Sequence, residues 1–377
     1  MVIVRVLGHG PAIKHLVHHD KAHSIAEIEK LGRRRVPRLD PPVRAALRLG
    51  AYQLGYVDGV ARYAAVNESV ELVRRAGLER AVAFTNAVLR RLEQGIGPVL
   101  DSLGDDSATA AALRHSYPDW VAETWWRDLG AEDARALMRA LNDPAPTVVR
   151  LVRGSVEGVA DTDVPGAWHV ERVDERALAE GRIWPQSAAS QLVGLAVGAR
   201  ESERTLDLCA APGGKATMLA GEVVAVEVNE RRAGELTATI KRLGAADVRV
   251  VVADGRDLPP ELTGFDWALV DAPCSGLGVL NRRPDLRWRA MPLPELQREL
   301  VRAAAERVRP GGRIVYSVCT INADEAEEVV DGSGLEVDPT LGDEWPLFRH
   351  HRRPEFLQTL PHVHGTAGFF VARLIAR

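Results

Sequence analysis

From Thr205 to the end of the chain, short apolar runs alternate with amphipathic helical stretches, and that alternation leaves few folds open. The runs are Thr205 to Leu208, Val223 to Val228, Val248 to Ala253, Trp267 to Asp271 and Arg313 to Ser317, each bounded by Gly, Pro or charge. Parallel neighbours need a crossover that covers a sheet face. Strands spaced by helices therefore predict an α/β fold with a doubly wound, mostly parallel sheet. Gly368 to Ile375 reads as one more strand, antiparallel and at the edge. Ligands of such sheets bind beyond the carboxyl ends of the strands, so the chemistry is sought there.

The first 135 or so residues carry a different signal, with apolar residues recurring at helical spacing. Helices are predicted over Pro42 to Tyr56, Ala64 to Gly77, Ala81 to Leu92 and Asp119 to Leu141. Their core candidates are Leu47, Tyr52 and Leu54; Val66, Val70 and Val73; Phe84, Val88 and Leu92; and Trp120, Trp125 and Trp126. Between the halves, Pro144 to Trp184 holds short Val-rich runs broken by Gly and Pro, which predict a small αβ linker domain. The expected division is 1–135 helical, 136–185 linker and 186–377 doubly wound.

With 46% apolar and 27% charged residues the chain has material for real cores, and disorder is excluded as its main state. No apolar run approaches the roughly 18 residues of a membrane span, and Met1 to Arg5 lacks a signal-like apolar stretch. A cytosolic protein with no membrane partner is expected. Three cysteines, with no C-x-x-C spacing, predict reduced thiols and no metal site. The formal net charge of −4 advertises no polyanion partner globally, but arginines cluster locally. The clusters are Arg33, Arg34, Arg35 and Arg38; Arg282, Arg283, Arg287 and Arg289; and Arg349, Arg352 and Arg353 beside His350 and His351.

The first strand of the doubly wound half ends in Asp207-Leu208-Cys209-Ala210-Ala211-Pro212-Gly213-Gly214-Lys215. Small residues and two glycines there let the backbone approach a nucleotide-like cofactor. The spacing is neither that of the dinucleotide fingerprint nor that of the P-loop. Glu227, 20 residues after Asp207, stands where an acid accepts hydrogen bonds from ribose hydroxyls, and Asp254 is similarly placed after the third strand. The fourth strand ends Asp271-Ala272-Pro273-Cys274-Ser275-Gly276 and the fifth Tyr316-Ser317-Val318-Cys319-Thr320. One cysteine at a strand end is ordinary packing, and Cys209 alone keeps that reading. Cys274 and Cys319 together point to thiol chemistry over the crevice.

DLCAAPGGK, DAPCSGLGVLNRRPDLRWR and YSVCT resemble the cofactor loop and the two cysteine motifs of the RsmB/Sun family of RNA cytosine-5 methyltransferases. LDPPVRAALRLGAYQLGY, AAVNESVELV and NAVLRRLE resemble that family's NusB-like RNA-binding domain, and GFFVARL its closing strand. The resemblance implies a Rossmann-like methyltransferase sheet, preceded by an all-α NusB-like domain and a small αβ linker domain. It also implies S-adenosylmethionine as cofactor, held by residues 209 to 215 with Glu227, Asp254 and Asp271, and small-subunit ribosomal RNA as substrate. It makes Cys319 the nucleophile and Cys274 the group that assists release. Val318 stands where many members carry Thr, and Ala323-Asp324-Glu325-Ala326 replaces a Pro-Glu-Glu-Asn-like run. Met1 to Ala26 does not match the helical start of the family.

The chemistry asks for the same parts. Carbon 5 of cytosine is a poor nucleophile, so a thiolate must add to carbon 6, and a second group must later remove the carbon 5 proton. Asp271 is placed to hold the cytosine edge, and Lys215 to favour a thiolate through its charge. DNA cytosine methyltransferases place their nucleophile in a Pro-Cys motif, so sequence physics alone leaves the choice between Cys274 and Cys319 open. Arg282, Arg283, Arg287 and Arg289, beside Trp288, are expected to bind RNA near the chemistry, with Arg33, Arg34 and Arg35 further away. A monomer is expected. Transfer RNA as substrate, and a non-catalytic ribosome assembly factor, remain the alternatives.

Overall fold

The computed structural model describes residues 29, 32, 33, 35–57, 59–155 and 160–377. Met1 to Ala26 and Arg34 lie outside the described residues. The chain forms two compact units: Met1–Asp143 with Leu280–Arg289, and Pro144–Val279 with Ala290–Arg377.

The first unit contains α1 (Pro41–Tyr56), α2 (Arg62–Arg75), α3 (Glu79–Ser102), α4 (Ala108–His115), α5 (Asp119–Leu129) and α6 (Ala131–Ala140). Proline in the first turn starts α1, where its missing N–H costs nothing. The predicted stripes close one core: Leu47 and Leu54 of α1, Val66, Val70 and Val73 of α2, and Val88 and Leu92 of α3 are all buried. Gly50 permits the close approach, since a Cβ there would lie 2.6 Å from Leu89 and 2.9 Å from Ser69 Oγ. The helix expected over Asp119 to Leu141 is instead two helices, because Gly130 at φ 83° turns the chain between α5 and α6. Of its three tryptophans only Trp125 is fully buried, and Trp120 is exposed.

The second unit opens with an antiparallel sheet of β1 (Val148–Leu151), β2 (Ala160–Asp161), β3 (Ala167–His169) and β4 (Ile183–Pro185), in the order β2-β3-β1-β4. Helix α7 (Glu175–Ala179) lies between β3 and β4 in sequence, and α8 (Ala188–Val197) follows. The main sheet holds β5 (Arg204–Asp207), β6 (Glu222–Glu227), β7 (Val248–Val252), β8 (Phe265–Asp271), β9 (Val308–Val318), β10 (Glu336–Val337), β11 (Leu357–Thr359) and β12 (Phe369–Ile375). Its order is β10-β12-β9-β8-β5-β6-β7, with β11 also on β12. Strands β5 to β9 pair in parallel and β12 antiparallel to β9. The last strand is therefore antiparallel as expected but not at the edge, since β10 and β11 pair along its other side.

Alternate residues of the strands feed the two faces. Ala268, Val270, Ile314 and Tyr316 pack with Leu300, Val301 and Ala304 of α10 (Pro294–Arg307). Trp267, Leu269, Val315 and Val371 pack with α8 and with Val148 and Ala167 of the small sheet. Helix α9 (Glu230–Leu243) covers the cofactor-loop side through Leu236, beside Ala210, Ala211 and Ala216. The strand order reverses between β5 and β8, and this switch point opens a crevice at their carboxyl ends.

Candidate active site

The loop after β5 occupies that crevice. Asp207, at the strand's end, is buried, and its Oδ1 accepts from the Cys209 N–H at 3.3 Å. Burial, reinforced by the charge of Asp271, pushes Asp207 up to about 7. Gly213 has φ 102°, and a Cβ there would lie 2.8 Å from Leu236, so only glycine fits the turn. At Gly214 a Cβ would sit 3.2 Å from the indole nitrogen of Trp184. The loop is also braced from the small sheet. Arg150 of β1 donates to the Gly214 carbonyl at 3.0 Å and to Thr217 Oγ1 at 2.8 Å. Burial draws this guanidinium down to about 10.

Two carboxylates stand at the ends of the next strands, Glu227 on β6 and Asp254 after β7. Glu227, buried at the end of β6, accepts from the Asn229 N–H at 2.9 Å and lies 3.3 Å from Arg232, which in turn donates to the Ala211 carbonyl at 2.8 Å. Asp254 is held by Arg256, through its backbone N–H at 2.9 Å and its guanidinium at 2.7 Å, and those bonds lower its pKa. A tight loop whose glycines leave no room for side chains against Leu236 and Trp184, with an ordered carboxylate at the next strand end, fits an S-adenosyl cofactor. Burial raises the thiol pKa of Cys209, which packs against the core as an inert group.

Lys215, Asp271 and Ser317 form one cluster. Lys215 Nζ lies 2.7 Å from Asp271 Oδ2, and the Ser317 hydroxyl donates to Oδ1 at 2.8 Å. The Lys215 ammonium also lies 5.2 Å from the centroid of the Phe369 ring. Lys215 is thus committed to the carboxylate in this geometry, where the sequence placed it as a partner for a thiolate.

The two thiols meet. Cys274 Sγ lies 3.3 Å from Cys319 Sγ, and both cysteines are reduced. The parallel register of β8 and β9, which pairs Asp271 with Ser317, brings the two strand ends side by side. The hydrogen bond to Cys319 and burial hold the Cys274 thiol well above its ordinary pKa. Either sulfur can be the donor in this contact.

Motif searches alone miss the groups that hold these loops. Glu325 and Gln297, both fully buried, bond to the Cys274 segment, and the Ser275 hydroxyl lies 3.0 Å from Thr320 Oγ1. Gly278 donates to the Cys319 carbonyl at 3.0 Å and accepts from Gly368 at 2.8 Å. A side chain at Gly278 would strike the Gly368 carbonyl.

The combined match now decides the family. Residues 195–375 match the family model described as 16S rRNA methyltransferase RsmB/F, and residues 18–94 match the NusB family. The chain is 30% identical over 374 residues to a probable ribosomal RNA small subunit methyltransferase B of Bacillus subtilis, covering 89% of this chain and 83% of that protein. It belongs to the RsmB/F family.

Ribosomal RNA small subunit methyltransferase B of Thermus thermophilus is 36% identical over 304 residues, 78% of this RsmB/F chain and 69% of that protein. The fold is also that of solved structures. The crystal structure of PH0851 superposes with a TM-score of 0.78 at 24% identity, covering 96% of this chain and 88% of that one. NSun6 from Pyrococcus horikoshii, crystallised with SFG, gives 0.62 at 20%, covering 70% and 99%. The RsmB/F chain is a methyltransferase dependent on S-adenosylmethionine. Among the described residues no cluster of His, Cys, Asp or Glu is arranged to hold a metal ion, and no helix is long and apolar enough to cross a membrane.

The arginine clusters divide. Leu280–Arg289 belongs to the helical unit, and there Arg287 is fully buried. Its guanidinium donates to the Ser116 carbonyl at 3.3 Å, Tyr117 Oη at 3.0 Å and Asn142 Oδ1 at 2.9 Å, and lies 3.9 Å over the Tyr117 ring. This group holds the unit's own residues instead of standing at the surface as the sequence suggested. Arg282, Arg283 and Arg289 are exposed, the last two flanking Asp285 at 3.0 and 3.9 Å. Arg33 and Arg35 are exposed as well. The third cluster is internally paired: Arg349 with Asp343, Arg352 and His350 with Glu327, and Arg353 with Glu355 and Asp331.

Proposed function

We propose that this chain is an RNA cytosine-5 methyltransferase of small-subunit ribosomal RNA, with Cys319 as nucleophile and Cys274 as the group that completes release. The observation that carries the reading is the 3.3 Å contact between the two thiols, one strand end from the Lys215–Asp271 pair. S-adenosylmethionine, when bound, supplies an electrophilic methyl group, and residues 209 to 215 with Glu227 and Asp254 would hold it. Asp271, oriented by Lys215 and Ser317, is the acceptor for the cytosine edge. Cys319, 3.3 Å from the Cys274 sulfur, adds as thiolate to carbon 6.

The adduct also changes Cys274. Once the Cys319 sulfur is bonded to carbon, it has neither a proton nor a thiolate charge to share with Cys274. Cys274 then releases its proton to solvent and takes the proton from carbon 5, and Cys319 leaves as thiolate. The exposed arginines Arg33, Arg35, Arg282, Arg283 and Arg289 are the groups for backbone phosphates. A ribosomal RNA substrate goes with a cytoplasmic enzyme.

The test is a denaturing gel of wild type, Cys274→Ala and Cys319→Ala after incubation with S-adenosylmethionine and unmodified small-subunit ribosomal RNA. A covalent protein–RNA band confined to Cys274→Ala is expected. A band confined to Cys319→Ala would reverse the roles. Methylation of transfer RNA in preference to ribosomal RNA would change the substrate, and no methyl transfer by wild type to either would favour an assembly factor.

A further inference from the structure

Glu325 is fully buried six residues beyond Cys319, in the turn Ala323–Glu325. Its Oε1 accepts from the Ser275 N–H at 3.0 Å, the Leu293 N–H at 2.9 Å and Gln297 Nε2 at 2.8 Å, while Asn322 Nδ2 reaches Oε2 at 3.1 Å. These donors are all uncharged. A buried carboxylate is costly even when hydrogen-bonded, and it adds little net stability without a cation. What this one does is fix a geometry. Gln297 Nε2 also donates to the Pro273 carbonyl at 2.9 Å, so Glu325 and Gln297 together grip the residues on both sides of Cys274.

The two thiols are not equally dependent on that grip. Cys319 directly follows β9, whose Val318 pairs with Phe370 of β12, and its carbonyl is tied to Gly278. Cys274 lies beyond the last β8 ladder bond, from the Ala272 N–H to the Ser317 carbonyl. Besides the Ser275–Thr320 hydroxyl pair and, further along, the Gly278 bond to the Cys319 carbonyl, the bonds that hold its two flanking residues come from Glu325 and Gln297.

We propose that Glu325 is a positioning residue for the release step, holding the Cys274 sulfur where it can reach the carbon 5 proton of the adduct. This rests on the two-thiol reading above. In that step the Cys274 thiolate takes the proton, the carbon–hydrogen electron pair becomes the 5,6 double bond, and the carbon 6–sulfur bond breaks to free Cys319. Losing Glu325 slows release and leaves addition and methyl transfer in place.

The experiment compares wild type, Cys274→Ala, Glu325→Ala, Glu325→Gln and Gln297→Met in the full chain, with S-adenosylmethionine and unmodified small-subunit ribosomal RNA. Covalent adduct is read on a denaturing gel and cofactor binding by calorimetry. Glu325→Ala is expected to bind cofactor normally, accumulate methylated adduct and release product about 100-fold more slowly, the usual penalty for an ångström-scale misplacement. Glu325→Gln keeps an acceptor for the Ser275 N–H and recovers most of the turnover. Gln297→Met traps adduct more weakly, and it decides the matter if Glu325→Ala loses cofactor binding through misfolding. Wild-type release in the folded variants, or loss of adduct together with loss of methylation, overturns the proposal while Cys274→Ala still traps. If Cys274→Ala traps nothing, the two-thiol reading fails first and the positioning role falls with it.

Discussion

Lys215 Nζ and Asp271 Oδ2 lie 2.7 Å apart, joining the end of the cofactor loop to the end of β8. The pair is partly buried, and Ser317 takes the other carboxylate oxygen. Asp271→Asn keeps an oxygen for one of these donors but removes the charge that would face the cytosine edge. Methyl transfer in a single turnover is expected to fall about 100-fold, the scale for losing one preorganised electrostatic contact. Cofactor affinity by calorimetry should stay unchanged. Equal losses in both would show that Asp271 serves the cofactor alone.

Arg150 makes the small sheet part of the cofactor site, since its two bonds end on Gly214 and Thr217. Charged-donor hydrogen bonds are worth about 1.5–3 kcal/mol, so Arg150→Met is expected to weaken S-adenosylmethionine binding about tenfold. Turnover at saturating cofactor should be nearly unaffected. Calorimetry and initial rates separate the two, and an unchanged affinity would reduce Arg150 to a packing role.

What the sequence made legible follows from the range of the forces involved. Strands β6 and β8 and the Ile314–Val318 half of β9 are largely buried on both faces, so they appear as nearly continuous apolar runs, and the thiols after β8 and β9 could be placed by counting. Strands β10 and β11, two and three residues long, have no period to read, which is why β12 was expected at the edge. Gly130 resembled any helical glycine until its positive φ divided the helix. Glu325 and Arg150 were invisible as site residues for another reason. Each bonds to a backbone atom, 50 and 64 residues away respectively, and such a partner leaves no mark on side-chain pattern. Arg287 reads like its neighbours Arg282 and Arg283, and only tertiary structure distinguishes them.

That distinction is measurable. Arg287→Met removes a cation stacked on Tyr117 and three hydrogen bonds, so it is expected to destabilise the helical unit by about 3 kcal/mol. The salt dependence of RNA binding should be unchanged in the folded fraction. Arg282→Ala, Arg283→Ala and Arg289→Ala should behave oppositely, with near-normal melting and a log–log salt slope shallower by about one for each phosphate no longer neutralised. Identical slopes in all four variants would remove this segment from the RNA interface.

Glu327 supplies a prediction about acid stability. Burial works to raise its pKa, but His350 Nε2 at 3.0 Å and Arg352 at 2.9 Å overcome that and hold it at about 2, against an ordinary 4.5. The tautomer follows from the other ring nitrogen: His350 Nδ1 accepts the Arg352 and Arg353 N–H groups, which leaves the hydrogen on Nε2, 3.0 Å from the carboxylate. Between the two pKa values the unfolded chain binds more protons than the folded one. The contribution is therefore complete above pH 4.5 and lost as pH falls toward 2. Discounted for partial solvent access, it amounts to about 2 kcal/mol. Glu327→Gln should melt lower than wild type at pH 7, and the gap should close as pH drops below about 4. Melting curves from pH 3 to 7 check this, and a gap independent of pH would assign the loss to packing instead of charge.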